Sequence, residues 1–312
     1  GLAPAARAQT DLLVASEFTH QVLRYDGATG ASRGVFIAAG SGGLVLARGL
    51  AVGPDGYVYL GTESPNTVLR FVAATGAFVG TFVTPISLSG GTNGSAWGTN
   101  GVFYLASFGC NCVIRYNATT GALIDAIIGA GSPLSGSTGV QFGPDGNLYV
   151  GSFNTDQVLR FNPTSGAFID IFATVPTAGA GVGGIVFGPD GNLYVGAFQG
   201  NDVLVFNGTT GALLGSFIPA ADPHPLAPIA LRFGPDGNLY VTAQTTDEVK
   251  RYNGTTGAFI DNFVSAGSGG LDGPFGFVFI PKVLDADSDN VPDGVDNCPS
   301  IANTDQADVG DN

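Results

Sequence analysis

The sequence predicts an all-β fold, a six-bladed β-propeller of four-stranded antiparallel blades, on three observations. A Gly in the phrase T-G-A or S-G-A recurs at Gly30, Gly76, Gly121, Gly166, Gly211 and Gly257, with spacings of 46, 45, 45, 45 and 46 residues. A turn phrase, G-P-D-G, begins at Gly53, Gly143, Gly188 and Gly234, with the variant Gly98-Thr99-Asn100-Gly101 in the third copy. Between these markers each unit reads as four short apolar runs. Self-similarity at such a period marks a solenoid, a propeller or an array, and the contents of one unit decide among them.

Residues 138–173 serve as that unit. Val140-Gln141-Phe142 predicts a strand, and Gly143-Pro144-Asp145-Gly146 a tight turn, because Pro presets φ and Asp-Gly tolerates positive φ. Leu148-Tyr149-Val150-Gly151-Ser152 is the second strand, and Asn154-Thr155-Asp156 a polar turn. Val158-Leu159-Arg160-Phe161 is the third, and Ala167-Phe168-Ile169-Asp170-Ile171-Phe172 the fourth. Runs this short, bounded by Gly, Pro, Asn and Asp and lacking a helical period, read as strands. Four antiparallel strands make a propeller blade. Apolar pairs such as Val158-Leu159 and Phe168-Ile169 put hydrophobic side chains on both faces, as expected where each blade is sandwiched between two others.

The two ends predict how the ring closes. Asp11-Leu12-Leu13-Val14-Ala15 aligns with the second strand of the other units, and Phe277-Val278-Phe279-Ile280-Pro281 aligns with a first strand. The C-terminal strand, 277–280, therefore completes the N-terminal blade and leaves few free sheet edges.

The phrases G-P-D-G-N-L-Y-V and V-L-R-F-N carry a resemblance to the NHL-repeat and gluconolactonase-like six-bladed propellers over residues 11–281. The resemblance implies the fold; its members include scaffolds, receptors and hydrolases, so it does not assign chemistry. The gluconolactonase-like metal site takes a Glu at the start of one first strand, where this chain has Gly49, Gly94, Gly139, Gly184, Ala230 or Gly276. That part of the resemblance does not carry over.

Composition narrows the function classes. Net charge is −14 and no basic stripe is available to neutralise phosphates, which argues against a nucleic-acid partner. No apolar run is long enough to span a bilayer. Five arginines share one position in their units, Arg24, Arg70, Arg115, Arg160 and Arg251, with Val205 in the fifth unit. They are expected between blades, paired with turn carboxylates such as Asp55, Asp145 and Asp236. Segment 1–10 reads as the remnant of a secretory signal peptide, with Ala6-Arg7-Ala8 before Gln9, followed by the N-terminal arm.

The composition changes after the repeats, and segment 282–312 reads as a separate calcium-binding tail. Residues 285–312 hold eight Asp and no Lys or Arg. Asp285, Asp287, Asp289, Asp293 and Asp296 occupy positions 1, 3, 5, 9 and 12 of an EF-hand-like loop, and the Val291 carbonyl would supply position 7. Hard cations need many oxygens, so calcium is the expected ion. The phrase D-x-D-x-D-x-x-P-D-x-x-D-N-C-P closely resembles a thrombospondin type 3 repeat, which implies calcium ligation and a stiff acidic spacer between exported domains. Asn290 stands where such loops carry Gly, and the second half lacks the full rhythm, as in a truncated repeat. Cys298 has no obvious partner, while Cys110 and Cys112 predict a local disulfide or two idle thiols.

The turns after G-P-D-G and T-G-A share one face and vary little between units. The opposite face gathers the second-to-third-strand turns and the variable connections 84–95, 130–137, 175–183, 219–228 and 265–274. Ligand sites sit on variable loops held by a rigid frame, so this loop face is the expected location. There, one repeat position offers Glu17, Glu63, Phe108, Phe153, Phe198 and Gln244, an apolar half-ring and an acidic or polar half-ring. His20 lies beside Glu17; His224 falls in a stiff Pro-rich loop. No G-x-S-x-G, H-E-x-x-H or Cys-His signature occurs.

The reading is a secreted or cell-surface, non-catalytic module that binds protein or carbohydrate on the loop face and carries a calcium-stiffened spacer. Two alternatives stand beside it. One is a metal-dependent lactonase or lyase in which His20 with Glu17 or Glu63 would hold the metal. The other is a homo-oligomeric surface-layer or filament subunit.

Overall fold

Each repeat folds as a four-stranded antiparallel sheet. The computed structural model describes residues 10–84, 91–129, 131–224 and 226–282, which contain six such sheets. In the second blade the order from axis to perimeter is Ala47–Val52, Val58–Thr62, Val68–Phe71 and Phe78–Val83. Blades three to six repeat this order from Thr92–Trp97, Ser137–Phe142, Val182–Phe187 and Pro228–Phe233 as innermost strands. Each innermost strand packs on the next around the circle, and the sixth meets Pro274–Pro281, which in turn meets the second.

Blade one is built from both ends of the repeat region. Pro274–Pro281 pairs antiparallel with Thr10–Ser16, placing Val278 opposite Leu13 and Phe279 opposite Leu12. Gln21–Asp26 and Ser32–Ile37 complete that sheet. The ring closes as the alignment of the two ends predicts.

The innermost strands are bulged. Ala47 faces Thr62, yet Leu50 faces Leu60, so one extra residue is accommodated around Arg48-Gly49. The same shift recurs in blades three to six. A bulge bends the strand and re-aims its side chains. Here it brings backbones together at the axis, where a Cβ on Gly49 would collide with the Asn93 carbonyl of blade three.

The core lies between blades. The second strands Val58–Thr62, Leu148–Ser152 and Leu193–Ala197 are buried throughout. Tyr149 sits edge-on to Phe172 of its own blade and to Phe187 of the next, with centroids 4.8 and 4.9 Å apart. Its hydroxyl donates to Asp145 of the G-P-D-G turn at 3.1 Å, and Tyr59, Tyr194 and Tyr240 do the same with Asp55, Asp190 and Asp236. The repeated phrase thus fixes both a turn and the orientation of the Tyr ring that packs on the next blade.

Two expectations change at the perimeter. Phe168 and Ile169 are each 43 % exposed, because the outer strand begins beyond the overlap of neighbouring blades. Three of the five arginines pair chiefly with an outer-strand Asp directly across the sheet, Arg115 with Asp125, Arg160 with Asp170 and Arg251 with Asp261, while Arg24 pairs with Asp11 of Thr10–Ser16. Turn carboxylates are the more distant partners, with Asp145 at 3.2 Å from Arg160 and Asp236 at 3.7 Å from Arg251. In blade two Gly80 stands opposite Arg70, leaving Asp55 at 3.9 Å; in blade five Val205 faces Gly215. These are cross-strand pairs.

Cys110 and Cys112 are joined by a disulfide within the turn of blade three. Segment 1–9, Cys298 and the whole calcium-loop set, Asp285, Asp287, Asp289, Val291, Asp293 and Asp296, lie outside the described residues.

Candidate functional site

Six equivalent side chains ring the loop-face mouth because each immediately follows a second strand. Glu17 follows Thr10–Ser16, and Phe153 follows Leu148–Ser152; Glu63, Phe108, Phe198 and Gln244 stand at the same point of their blades. The backbones of Glu17, Glu63, Phe153 and Phe198 are tied to the connection that enters their own blade's innermost strand. Glu17 N–H donates to Gly273 O at 3.0 Å, Phe153 N–H to Gly136 O at 2.9 Å and Phe198 N–H to Gly181 O at 2.8 Å.

A second ring latches those connections. The residue entering each innermost strand is left-handed: Leu46, Gly91, Gly136, Gly181, Ala227 and Gly273 all have positive φ. Its N–H is taken across the blade boundary by His20, Asn66, Asn111, Asp156, Asn201 and Asp247 respectively, at 2.6–3.1 Å. At Gly181 (φ +66°) a Cβ would also stand 2.7 Å from the Phe153 ring, so glycine both permits the turn and seats the aromatic. His20 is the blade-one member of this latch ring. Its Nδ1 accepts from Leu46 N–H, which places the ring hydrogen on Nε2 and leaves neither nitrogen a free lone pair.

The aromatic half-ring is continuous. Phe108 and Phe153 meet edge-on with centroids 5.7 Å apart, and Phe153 and Phe198 follow at 6.1 Å. All three are only partly buried, so their ring faces border the mouth. They belong to blades three, four and five; Gln244, Glu17 and Glu63 belong to six, one and two. The order of blades puts the two arcs across the axis from one another.

The polar half-ring is organised by Arg48, which sequence reasoning missed. Arg48 Nη2 lies 2.8 Å from Glu17 Oε1 and also pairs with Glu63 Oε2, while Gln244 Nε2 donates to Glu17 Oε2 at 2.9 Å. The guanidinium stands 4.7 Å over the Phe275 ring. Glu17 is almost fully buried. Burial raises its carboxyl above the ordinary 4.5, against the pull of Arg48, and Glu63 pushes it further up. The signal was present: the residue before the axial position is Arg48, Asn93, Thr138, Gly183, Ile229 or Phe275, and only one is charged.

Three polar atoms converge beside Gly91 on a point that no described side chain fills. A Cβ built there would stand 3.3 Å from Asn93 Oδ1, 3.3 Å from Glu63 Oε2 and 3.6 Å from Arg48 Nε. Asn93 Oδ1 and Arg48 Nε are buried and have no hydrogen-bond partner among the described residues. An unpaired acceptor next to an unpaired donor suits a group that is both, such as a hydroxyl. Below this niche the axial cavity encloses about 120 Å³, lined by Gly94, Thr138, Gly184, Ile229 and Phe275 among others. Pockets that engulf a small ligand run to roughly 300–1,000 Å³, so the cavity takes a tip while the rest lies among the loops.

A metal at this mouth meets a poor donor set. Arg48 already pairs with both carboxylates, and His20 is committed to its latch. His224 is elsewhere, its Nδ1 2.7 Å from Asp222 and its ring stacked 3.6 Å from Phe259, the first residue of an outer strand.

No family model matches the chain, and no curated protein does. Solved structures do. A chain in the crystal structure of a nidogen/laminin complex aligns with TM-score 0.69 at 17 % identity, covering 86 % of this chain and 98 % of that one. A putative 6-phosphogluconolactonase from Bacteroides uniformis aligns with TM-score 0.60 at 17 % identity, covering 88 % and 100 %. A catalytically inactive virginiamycin B lyase from Staphylococcus aureus, with quinupristin, aligns with TM-score 0.57 at 17 % identity, covering 82 % and 85 %. At such identities the likeness is one of fold, and the class it defines is the six-bladed β-propeller.

Proposed function

We propose that this chain is an exported, non-catalytic binding module whose loop-face funnel takes a carbohydrate. The carrying observation is the pairing of an aromatic arc with an opposed polar arc that holds an unpaired donor and acceptor side by side. A sugar ring offers an apolar C–H face to Phe108, Phe153 and Phe198 and hydroxyls to Arg48, Asn93 and Glu63. The runner-up ligand is a protein segment, in keeping with the propeller-like chain of the nidogen/laminin complex.

In this reading Asp285, Asp287, Asp289, Asp293 and Asp296, with the Val291 carbonyl, hold calcium and stiffen a spacer beyond the ring. Support for calcium and for export comes from the sequence alone. The competing reading, a metal-dependent lactonase or lyase at the same mouth, draws on the lyase and lactonase among similar folds.

Glycan and peptide arrays probed with the full chain and with Phe153→Ala and Arg48→Met separate these readings. The module reading expects glycan binding that both substitutions weaken at least about tenfold, a loss of roughly 1.4 kcal/mol or more. Peptide binding with the same losses would favour the protein ligand. Metal retained after a chelator wash of a chain lacking 283–312, with lactone or cyclic-ester turnover abolished in Glu63→Gln, would favour the enzyme.

A further inference from the structure

The opposite mouth of the axial channel carries a cation with no anionic partner among the described residues. At one register position the innermost strands present Ala51, Ala96, Gln141, Val186, Arg232 and Val278. These lie toward the G-P-D-G turns, away from the funnel. Five of the six are apolar or neutral, and one is a full positive charge.

Arg232 borders both the axial cavity and a wider one of about 440 Å³ at this end, the latter shared with Trp97, Gln141, Phe142, Ile185 and Val186. The side chain is exposed by area and borders the water-accessible cavity at this mouth. Surrounding protein depresses its guanidinium below the ordinary arginine value, and no carboxylate among the described residues offsets that cost. Among the described residues it makes one hydrogen bond, from Nε to Phe277 O at 3.3 Å, and no ion pair.

The carboxylates of the G-P-D-G turns on this face, Asp55, Asp145, Asp190 and Asp236, accept Tyr hydroxyls of their own blades and make no ion pair with Arg232. Gln141 adds a second donor to the same cavity: its Oε1 accepts from Phe187 N–H at 3.0 Å, which leaves its NH₂ unpaired among the described residues. A guanidinium fork and an amide NH₂ facing one wet cavity with no matching acceptor are complementary to a planar or tetrahedral oxyanion. We propose that the turn-face mouth of the channel binds a compact oxyanion, a carboxylate or a phosphate group, on Arg232 and Gln141.

Amide NMR titrations of the full chain at low ionic strength, with inorganic phosphate and with acetate against matched chloride, test this. Saturable shifts confined to residues 141, 187 and 231–233 are expected with at least one of the two probes, and the responding probe identifies the group. Arg232→Gln should weaken that binding at least about tenfold, and Arg232→Lys less, since it keeps the charge but loses the fork. Gln141→Leu, which leaves Arg232 in place, should weaken it several-fold. Absence of saturable shifts with both probes across the millimolar range, or unchanged binding in Arg232→Gln and Gln141→Leu, overturns the proposal. Should Arg232→Gln not fold, the Arg232→Lys and Gln141→Leu titrations decide alone.

Discussion

Arg48 leaves the innermost strand of blade two to meet Glu17 of blade one, with Nη2 2.8 Å from Oε1, and the same nitrogen pairs with Glu63 of its own blade. One guanidinium thus locks a blade boundary and sets the charge of the funnel. Removing it strands a buried carboxylate beside a second one. Arg48→Met is expected to cost about 1–3 kcal/mol in urea denaturation, below the fully buried case because the cluster is partly wet. Adding Glu17→Gln should restore part of that loss. An additive double mutant would show that the two residues do not interact.

Glu17 also predicts a pH dependence. Its folded carboxyl titrates above the ordinary 4.5, so between these two values the folded state holds a proton that the unfolded state has released. Stability from this group is therefore greatest below the unfolded value and falls as pH rises through the folded one. Relative to Glu17→Gln, the parent chain should lose stability on going from about pH 4 toward neutrality. A relative gain over that range would refute the assignment.

His20 offers a choice between structural and chemical roles. As a latch it does what Asn66, Asn111 and Asn201 do in other blades, so His20→Asn should keep both stability and ligand binding. His20→Ala should cost about 1–2 kcal/mol, as should Asp156→Ala, which frees the Gly179 and Gly181 amides now held at 2.7 Å. Binding lost in His20→Asn despite normal stability would point instead to contact with the ligand.

Blade six holds a buried ion pair at a position where blades one and four have neutral residues. Lys250 pairs with Glu248, which also accepts from Asn262 Nδ2, where blades one and four have Leu23 with Gln21 and Leu159 with Gln157. Replacing both with the repeat's own residues, Glu248→Gln with Lys250→Leu, should be neutral or stabilising by about 1–4 kcal/mol. Lys250→Leu alone should destabilise by about 3–5 kcal/mol, because Glu248 then stays buried without its cation. Thermal unfolding of the three variants reads both signs.

The fold was legible because its causes are local and repeated. G-P-D-G dictates a turn, its Asp meets the Tyr four residues on, and six copies leave a ring as the economical burial. The closing strand could be read because 277–281 lacks a sheet of its own. The site was legible only where side chains point by register, as for Glu17, Glu63, Gln244 and the phenylalanines. Arg48 was overlooked because it sits one residue before the axial glycine, and only the strand bulge turns it toward the neighbouring blade. The latch ring was also readable, since positions 20, 66, 111, 156, 201 and 247 keep the 45–46-residue spacing. Its meaning was hidden because His stands among Asn and Asp, and the partner amides lie about 25 residues away across a blade boundary.

The most direct measurement is an amide NMR map of the full chain titrated with a glycan that binds it. A ligand seated in the funnel shifts the amides of Glu17, Arg48, Asn93, Phe108, Phe153 and Phe198 together, and Phe153→Ala weakens the titration. Shifts confined to the outer strands or to residues beyond 282, with the funnel amides unmoved, would contradict the account.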